Sequence, residues 1–536
     1  MGTDPGSRRG GRLPGDVRVV VGRRAKLPRT LGAPALFSAC YGNVGSSIYY
    51  GLGVTAAVAL GLTPLTFLVA GGIFITTALN YAEGTAAMPH AGGASSFARR
   101  AFNAPLGFLV GWVQLLNYTA TVSISAYTAV SYLGVFGRYL PILAHLDMPF
   151  WHAGAALVLV ALLIGVNVVG IQESSAINFV LAILDLITQV GLVVLGLWLL
   201  FNFGTVIHNI HLGVAPTWGA FLASISIAMV SYTGIETISN MSEEARSPGR
   251  TIPLATFGVI GAVMLVSAFL PSIAMSVFPV HHVGGHYVTE LATRWKNDPV
   301  AGLVTFFPSL IAQVAAIWVA ILAFTILIIA TNAGLIGISR LSYSLSAARL
   351  FPRAFSRLHP RFKTPYVSII VFGAIAFLLI IPAQIDLMAA VYSLAATFGF
   401  ASAHLAVMRL RFVAPRLNRP YRMPFNIRFG RGSIPLLSVV GAVAIGAVYT
   451  ELMTRNIERS SFVFVGWLAL GVLAYAAYRK ITAQPLWERL EGPPAAAEEV
   501  APVVAPLGVR VRVGRRDRPA QAAPLSAGAP RGDGQE

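Results

Sequence analysis

Residues 41–53 read YGNVGSSIYYGLG and lie inside the first long apolar segment of the chain. This stretch holds four glycines and two serines. Glycine weakens a helix, and serine hydroxyls can bond the backbone groups that an unwound turn releases. The sixth apolar segment repeats the pattern with SYTGIET at residues 231–237. The two stretches predict two interrupted helices, and close helix packing through small residues is the alternative explanation of the glycines.

The composition of the chain is that of a membrane protein. Its 536 residues are 56% hydrophobic and only 11% charged, whereas about 25% of the residues of an average soluble domain are charged. A membrane-spanning helix needs about 20 apolar residues. Twelve such segments lie near residues 31–59, 63–88, 104–137, 151–170, 176–202, 217–241, 253–279, 300–338, 366–382, 385–408, 435–453 and 461–478. The sequence therefore predicts an all-α membrane protein with twelve transmembrane helices.

The distribution of basic residues predicts the topology. Alternate connections carry the arginines and lysines, and the positive-inside rule then places both termini in the cytoplasm. The net charge of +18 lies mainly in these connections and in the two ends of the chain, so it indicates membrane topology rather than nucleic-acid binding. We expect a disordered basic arm at 1–30, a helical domain at 31–480 and a disordered cytoplasmic tail at 481–536. The arginines of the tail have lipid headgroups as an alternative partner to solvent.

Segments one and six begin two consecutive blocks of five segments. Broken helices at corresponding positions of two repeats are the best indication, in a sequence, of a transporter's binding site. The long segment at 300–338 exceeds the thickness of a bilayer, and we expect it to tilt or to continue as a cytoplasmic helix.

Further motifs lie in segment two and the loop after it, and after segments six, eight and ten. They read YAE at 81–83 with RRAF at 99–102, EEARSPGRTIP at 243–253, HPRFKTP at 359–365 and RPYRMPF at 419–425. Because of the number and order of these motifs, the chain from about residue 31 to 478 resembles the amino acid-polyamine-organocation (APC) superfamily of permeases. The resemblance implies a LeuT-like fold, in which helices one to ten form a 5+5 inverted repeat with discontinuous helices 1 and 6. The repeats then occupy 31–202 and 217–408, and helices eleven and twelve occupy 435–478.

The resemblance also implies that the substrate binds between the two breaks. Free amide groups near residues 45–47 can bind a carboxylate, and free carbonyls near residues 232–234 can accept from an ammonium group. The family's Gly-Ser-Gly-Ile pattern is GSSI here, so that a hydroxyl replaces a bare backbone position. The predicted substrate-binding residues are Asn43, Gly45, Ser46, Ser47, Ile48, Tyr232, Thr233 and Gly234.

Two carboxyl groups within the spans are candidates for proton coupling, because charges inside a membrane usually serve function. Asp185 lies in segment five with Gln189 one turn later, at about the place where proton-coupled relatives carry a lysine. Glu236 follows the second break, where exchangers of the family carry a glutamate similar to a proton sensor. The alternatives are a structural carboxyl bonded to hydroxyl groups at Asp185 and a helix cap at Glu236.

Three further polar residues receive structural expectations. Glu83 is expected to belong to an inner gate or to an ion pair with Arg340 or its neighbours. Asn332 is expected to bridge two helices.

Several classes of function are not expected. The single cysteine, Cys40, excludes an internal disulfide and a cysteine-based metal site. His281, His282 and His286 suit an exposed loop better than a zinc site. The sequence has no phosphate-binding loop, no His-Glu-x-x-His and no Gly-x-Ser-x-Gly, so we expect neither an enzyme nor a cofactor.

We therefore expect a secondary transporter of amino acids in the plasma membrane, coupled to a proton or another cation and surrounded by lipid. Potassium uptake is one alternative, since residues 41–51 also resemble the first helix of the potassium-uptake branch, with Asn43 in place of an acid. Polyamine uptake is another, although only Asp185 and Glu236 offer carboxylates for extra ammonium groups. A non-transporting receptor is the alternative from a different class.

Overall fold

The computed structural model describes residues 29–138, 140–170, 175–455 and 459–487. The basic arm expected at 1–30 and the tail expected at 481–536 therefore lie outside the described residues, apart from 29–30 and 481–487.

Helices make up most of the first half of the chain. The longer ones coincide with the apolar segments, and α5 shows how the sequence sets a boundary: the Asn103 side chain accepts from the Leu106 backbone N–H at 3.0 Å, and a proline occupies the first turn. The helices are α1 Ala33–Val44, α2 Ile48–Ala59, α3 Thr63–Ala87, α4 Gly93–Ala101, α5 Ala104–Gly134, α6 Pro141–Ala144, α7 Pro149–Val169, α8 Ser175–Leu199 and α9 Phe203–His208.

The second half has a similar organisation. Thr217 caps α10 by accepting from the Ala220 backbone N–H at 3.3 Å. The helices are α10 Trp218–Ala228, α11 Glu236–Asn240, α12 Pro248–Val277, α13 Pro299–Val304, α14 Ser309–Ala347, α15 Tyr366–Ile380, α16 Ile385–Val413, α17 Leu436–Arg455 and α18 Ser460–Ile481. The segment expected at 300–338 is divided between α13 and α14, and α14 continues to Ala347 over 39 residues.

Nine helical stretches of the described residues are long and apolar enough to cross a membrane. The first, Ala33–Ala87, covers 55 residues and contains α1, α2 and α3. Two shorter apolar helical stretches, Trp218–Tyr232 and Tyr366–Ile380, lie where segments six and nine were expected.

The chain also forms β-structure, which the all-α expectation missed. One antiparallel hairpin pairs β1 His281–Val283 with β2 His286–Val288, and the other pairs β3 Asn426–Phe429 with β4 Gly432–Pro435. Each strand has only three or four residues, too few for a hydropathy pattern to reveal.

The core of the bundle forms around α5, which is packed against α14, α15 and α16. Trp112 of α5 and Trp467 of α18 stack at 4.5 Å between ring centroids. Each indole N–H donates to the other residue's carbonyl, at 2.7 and 2.9 Å. This pair fixes α18 on the outside of the bundle. Asn167 Nδ2 donates to Asn332 Oδ1 at 2.5 Å, so the expected polar bridge between helices is confirmed.

Candidate functional site

The sixth apolar segment is broken at residues 233–234. Helix α10 ends at Ala228 and tightens into a 3-10 turn, Met229–Tyr232. Thr233 then has an extended backbone (φ −79°, ψ 152°), and Gly234 has φ +114°. A positive φ of this size is accessible to glycine and strained for other residues. The chain therefore changes direction here before α11 begins at Glu236.

The first segment is not broken in the same way, which corrects the expectation of a discontinuous helix 1. Between α1 and α2 there is one 3-10 turn, Gly45–Ser47, whose flanking residues keep helical dihedral angles. The Ser46 and Ser47 hydroxyls both donate to the Asn43 carbonyl, at 3.0 and 3.1 Å. These hydroxyls give the Asn43 carbonyl hydrogen-bond partners, and the helical dihedral angles continue through the turn.

Residues of this first segment contact two different partners from two faces. Tyr41, Gly45 and Tyr49 follow each other at intervals of four and lie on one face. Cys40 and Asn43 lie on another face, where the Cys40 thiol is 3.6 Å from the Gly234 carbonyl oxygen. Segment one thus separates the environment of Asp185 from that of the second break.

Asp185 of α8 is completely buried and accepts hydrogen bonds from three side chains. The Tyr49 hydroxyl donates at 2.7 Å, the Tyr41 hydroxyl at 3.3 Å and Gln189 Nε2 at 2.8 Å. Gln189 Nε2 also donates to the Gly45 carbonyl at 3.2 Å, so the carboxyl is linked to the 3-10 turn. No arginine, lysine or histidine forms an ion pair with Asp185 among the described residues.

Glu236 occupies the start of α11 and is only 3% exposed. Its Oε1 accepts from Asn117 Nδ2 at 2.9 Å and from Gln114 Nε2 at 3.2 Å, while its Oε2 accepts from the Gly234 backbone N–H at 3.1 Å. The last contact is a local cap of the break. In the described part of the chain this carboxyl, too, has no cationic partner.

Asn43 joins the two segments. Its Nδ2 donates to Thr237 Oγ1 at 3.1 Å, and a Cβ at position 234 would come within 2.9 Å of its side chain. Three buried polar atoms around the break have no hydrogen-bond partner among the described residues: Asn43 Oδ1, Asn117 Oδ1 and Ser231 Oγ. Unpaired buried polar atoms cost stability, and in a binding site they are the groups that a polar ligand or water satisfies.

The other predicted binding residues are engaged within the protein. The Ser47 hydroxyl is 2.7 Å from the Tyr50 hydroxyl, and the Thr233 hydroxyl is 2.5 Å from that of Tyr392. The Tyr232 hydroxyl donates to the Phe67 carbonyl at 2.6 Å. Ile48 is 3% exposed. All the predicted binding residues are buried, so the polar centre is sealed from solvent in this conformation.

The expected ion pair between Glu83 and Arg340 is wrong, and the inner gate stays a prediction. Glu83 forms a two-point pair with Arg411, with Nη2–Oε2 at 2.5 Å and Nε–Oε1 at 2.8 Å, and Arg419 lies 3.6 Å away. Arg340 pairs instead with Glu244 at 3.0 Å. The end of α16 and the loop after it cover the end of α3, and this long-range packing brings Arg411 to Glu83 although 328 positions separate them.

Some members of the site were missed from the sequence. Gln114 and Asn117 hold Glu236 from α5, and Tyr392 of α16 contacts Thr233. The spacing of three between Gln114 and Asn117 in an apolar helix is a signal that could have placed them on one polar face. Nothing in the sequence around Tyr392 indicated its partner.

Apolar helices around a sealed polar centre, with two carboxyls that lack cationic partners there, define an integral membrane protein of the transporter class. Residues 31–473 match the family model described as amino acid permease, and the chain belongs to this family. The resemblance to APC permeases is thereby confirmed, and the protein is a multi-pass membrane transporter and not an enzyme.

Curated relatives have several substrates. The low-affinity putrescine importer of Escherichia coli is 28% identical over 451 residues, covering 81% of this chain and 90% of its own. The branched-chain amino acid permease of Bacillus subtilis is 25% identical over 472 residues, covering 85% and 94%. The methylthioribose transporter of Bacillus subtilis is 24% identical over 475 residues, with the same two shares. The family is thus common to these proteins, while the substrates in their names differ.

Proposed function

We propose that this permease is a secondary active transporter that moves amino acids across the plasma membrane by alternating access, coupled to protons. The observation that carries the proposal is the break at residues 233–234, which is surrounded by unpaired buried polar atoms and capped by Glu236. A zwitterion supplies both donors and an acceptor to such a site. Its ammonium group can donate to Asn43 Oδ1 or Asn117 Oδ1, which are acceptors.

The proposal includes twelve spans with both termini in the cytoplasm. The 55-residue stretch Ala33–Ala87 would be about 80 Å long as one helix, and a bilayer core is about 30 Å thick. Leu60 has φ +48° at the end of α2, which divides the stretch into two spans. The two shorter apolar stretches supply the remaining two. We assign the first five spans to a repeat at 31–202 and the next five to a repeat at 217–408.

We place the substrate's carboxylate near residues 45–47. Ser46 and Ser47 at present donate to one carbonyl oxygen, that of Asn43. Opening of this single 3-10 turn frees two hydroxyls and the backbone amides beside them for a carboxylate. The turn is thus a closed form of the binding site. When substrate binds, hydrogen bonds to its carboxylate replace the bonds of Ser46 and Ser47 with the Asn43 carbonyl.

Asp185 is our first candidate for the proton-binding group, and Glu236 is the second. A buried carboxylate without a cation is costly in an apolar surrounding, so a carboxyl in such a place favours binding a proton. Asp185 is linked through Gln189 to the Gly45 carbonyl. Protonation of Asp185 therefore changes the hydrogen bonding of the turn that we assign to the substrate.

A second candidate substrate class is the diamines and polyamines. The specific observation is the pair of buried carboxyls, Asp185 and Glu236, for which the described chain offers no cation. A ligand with ammonium groups would bring a cation to the carboxyl that it reaches. The putrescine importer among the relatives carries such a substrate by its name.

Counterflow in liposomes tests the proposal. Purified protein is reconstituted in vesicles loaded with unlabelled neutral amino acids or with unlabelled putrescine, and entry of the matching labelled compound is followed. We expect exchange of neutral amino acids. Exchange of putrescine alone would establish the second candidate, and no exchange of either would contradict the transport proposal and favour a receptor.

A further inference from the structure

The hairpin of β3 and β4 directly precedes a helix that is long and apolar enough to cross a membrane. It connects the end of α16 with α17, and Pro435, its last residue, directly precedes Leu436, where the apolar stretch Leu436–Thr454 begins. The Leu436 backbone N–H donates to the Phe425 carbonyl at 2.9 Å, so the hydrogen bonding of the hairpin continues into the start of the helix. The hairpin is therefore held within one residue of a membrane-spanning segment.

The hairpin has one apolar side that is exposed. Ile427 and Phe429 alternate along β3 and are 52% and 66% exposed, and Phe425, just before the strand, is 68% exposed. The alternate residues are polar: Asn426 contacts Arg411, and Arg428 lines a concavity. Two successive apolar residues of one strand face usually pack on a core. Ile427 and Phe429 do not pack on the protein core, so they are free to contact an apolar environment outside the protein.

The concavity beside the hairpin is strongly basic. It has a volume of about 260 Å³ and is lined by five arginines: Arg411, Arg419, Arg422, Arg428 and Arg431. Glu83 pairs with the first two of them. The other three are exposed and form no ion pair with a carboxylate in the described part of the chain.

The arginines also affect one another. Burial lowers the pKa of the Arg419 guanidinium, and the positive charges of Arg411, Arg422 and Arg100 lower it further, while Glu83 opposes this effect. Like charges are therefore crowded at this place, and an anion that binds between them relieves the repulsion. Phosphate is well suited because arginine binds its oxygens with two parallel hydrogen bonds.

We propose that the concavity binds the headgroup phosphate of an anionic phospholipid while Ile427 and Phe429 enter the acyl region of the same leaflet. A soluble phosphate compound would share the phosphate chemistry. The exposed apolar side of β3 and the direct continuation into α17 favour the lipid, because apolar side chains next to basic ones are the signature of interfacial binding.

Lipid retention by the full-length protein tests the phosphate contact. The protein in detergent is titrated with phosphatidylglycerol, and bound lipid is counted by native mass spectrometry. We expect Arg422→Ala/Arg428→Ala/Arg431→Ala to weaken retention about tenfold or more. The matched control is Arg353→Ala/Arg357→Ala/Arg361→Ala, which removes three exposed arginines from another loop and should change retention less than about twofold.

Equal losses in the two triple variants would overturn the proposal, since they would show a general effect of charge. Glycerol phosphate serves as the soluble probe. We expect it to compete poorly, and displacement of the lipid by glycerol phosphate at equal concentration would overturn the lipid assignment in favour of a soluble phosphate ligand.

A spin label at position 429 tests the apolar contact independently. The Phe429→Cys protein is labelled in nanodiscs of phosphatidylcholine and phosphatidylglycerol; Cys40 is completely buried and is not expected to react. We expect the label to be relaxed more by oxygen, which dissolves in lipid, than by a water-soluble nickel chelate. Gly284→Cys, in the exposed turn of the other hairpin, is the control and should show the reverse. Preferential relaxation by the nickel chelate at position 429 would contradict the proposal.

Discussion

The first and sixth apolar segments contain similar glycine and hydroxyl residues, yet their backbones have different conformations. Segment one forms a single 3-10 turn and then continues as an α-helix. Segment six changes direction at Gly234, which has φ +114°, and a new helix, α11, follows. In segment one, two serine hydroxyls return their hydrogen bonds to one carbonyl. In segment six, the Thr233 hydroxyl also bonds locally, to the Val230 carbonyl at 2.8 Å, and it lies 2.5 Å from the Tyr392 hydroxyl of another helix. Local hydroxyl bonds are thus common to both segments, and the positive φ of Gly234 and the contact with Tyr392 distinguish the break in segment six.

This difference assigns different roles to the two segments. Segment six contains a break of the backbone, with Glu236 as its cap. Segment one contains a turn that is closed by local hydrogen bonds and is linked to Asp185. We infer that segment one is the part whose local structure changes with substrate and proton binding, and that segment six is the more rigid frame.

Replacement of the carboxyl next to segment one should have the largest effect. Asp185→Asn keeps the size of the side chain and removes its ability to exchange a proton, so we expect loss of accumulation driven by a proton gradient and retention of counterflow. Asp386→Asn is the control, because Asp386 is 60% exposed in its pair with Lys296. Unchanged accumulation in Asp185→Asn would remove Asp185 from coupling and leave Glu236 as the candidate.

A bulky residue in the turn of segment one should block uptake. Ser47 is completely buried, and in Ser47→Phe the ring occupies the place that we assign to the substrate carboxylate. Uptake by proteoliposomes should fall to the level of empty vesicles. Ser309→Phe makes the same change at the exposed start of α14 and should transport normally. Normal uptake by Ser47→Phe would show that the substrate binds elsewhere.

The two glycines should respond differently to alanine. At Gly234 the positive φ strains alanine by about 1–3 kcal/mol, and the new Cβ would also lie 2.9 Å from Asn43. We expect Gly234→Ala to slow uptake about tenfold or more. Gly45 has a helical φ of −65°, and its new Cβ would instead meet the Tyr41 ring at 2.6 Å.

Because Tyr41 donates to Asp185, Gly45→Ala should disturb the pH dependence of uptake more than its maximal rate. Gly261→Ala, where a Cβ meets nothing within 4 Å, is the control for both variants. The same effect of alanine at positions 45 and 234, on rate and on pH dependence, would contradict the distinction between a changing and a rigid segment.

The smallest expected effect is the change in Tm when the ion pair in the connection after segment six is removed. Its Glu244 pairs with Arg340 at a partly exposed place, with side-chain exposures of 20% and 31%, whereas Glu83 and Arg411 are 1% and 3% exposed. Loss of one partner from a buried pair costs about 3–5 kcal/mol, and from an exposed pair about 0–1 kcal/mol. Thermal unfolding in detergent should therefore show a clear decrease in Tm for Glu83→Gln and little change for Arg340→Gln. A larger decrease for Arg340→Gln would contradict this ranking.

Much of the fold could be predicted because hydropathy acts over whole segments. The expected segment at 63–88 corresponds to α3, Thr63–Ala87, and that at 104–137 contains α5, Ala104–Gly134. The two hairpins were missed because each strand is too short to show a period. Their two-residue loops, Gly-Gly at 284–285 and Gly-Arg at 430–431, were the signal that could have indicated them.

The sequence indicated which residues belong to the site better than it indicated which residues contact each other. The glycine and hydroxyl pattern drew attention to both segments, and Asp185 and Glu236 stood out as charges in apolar surroundings. A glycine-rich stretch unwinds where a glycine adopts a positive φ, as Gly234 does and Gly45 does not, and the sequence alone does not reveal which of them will. Similarly, the partner of Glu83 is distant in the chain, and only the packing of α16 on the end of α3 brings Arg411 to it.

The central claim is that a proton gradient drives amino acids through this protein. The most direct measurement is uptake by proteoliposomes with an inward proton gradient, using labelled neutral amino acids and, in parallel, rubidium as a substitute for potassium. We predict amino acid accumulation that a protonophore abolishes, with no rubidium flux. Rubidium flux without amino acid flux would contradict the account and would mean that residues 41–51 form an ion site.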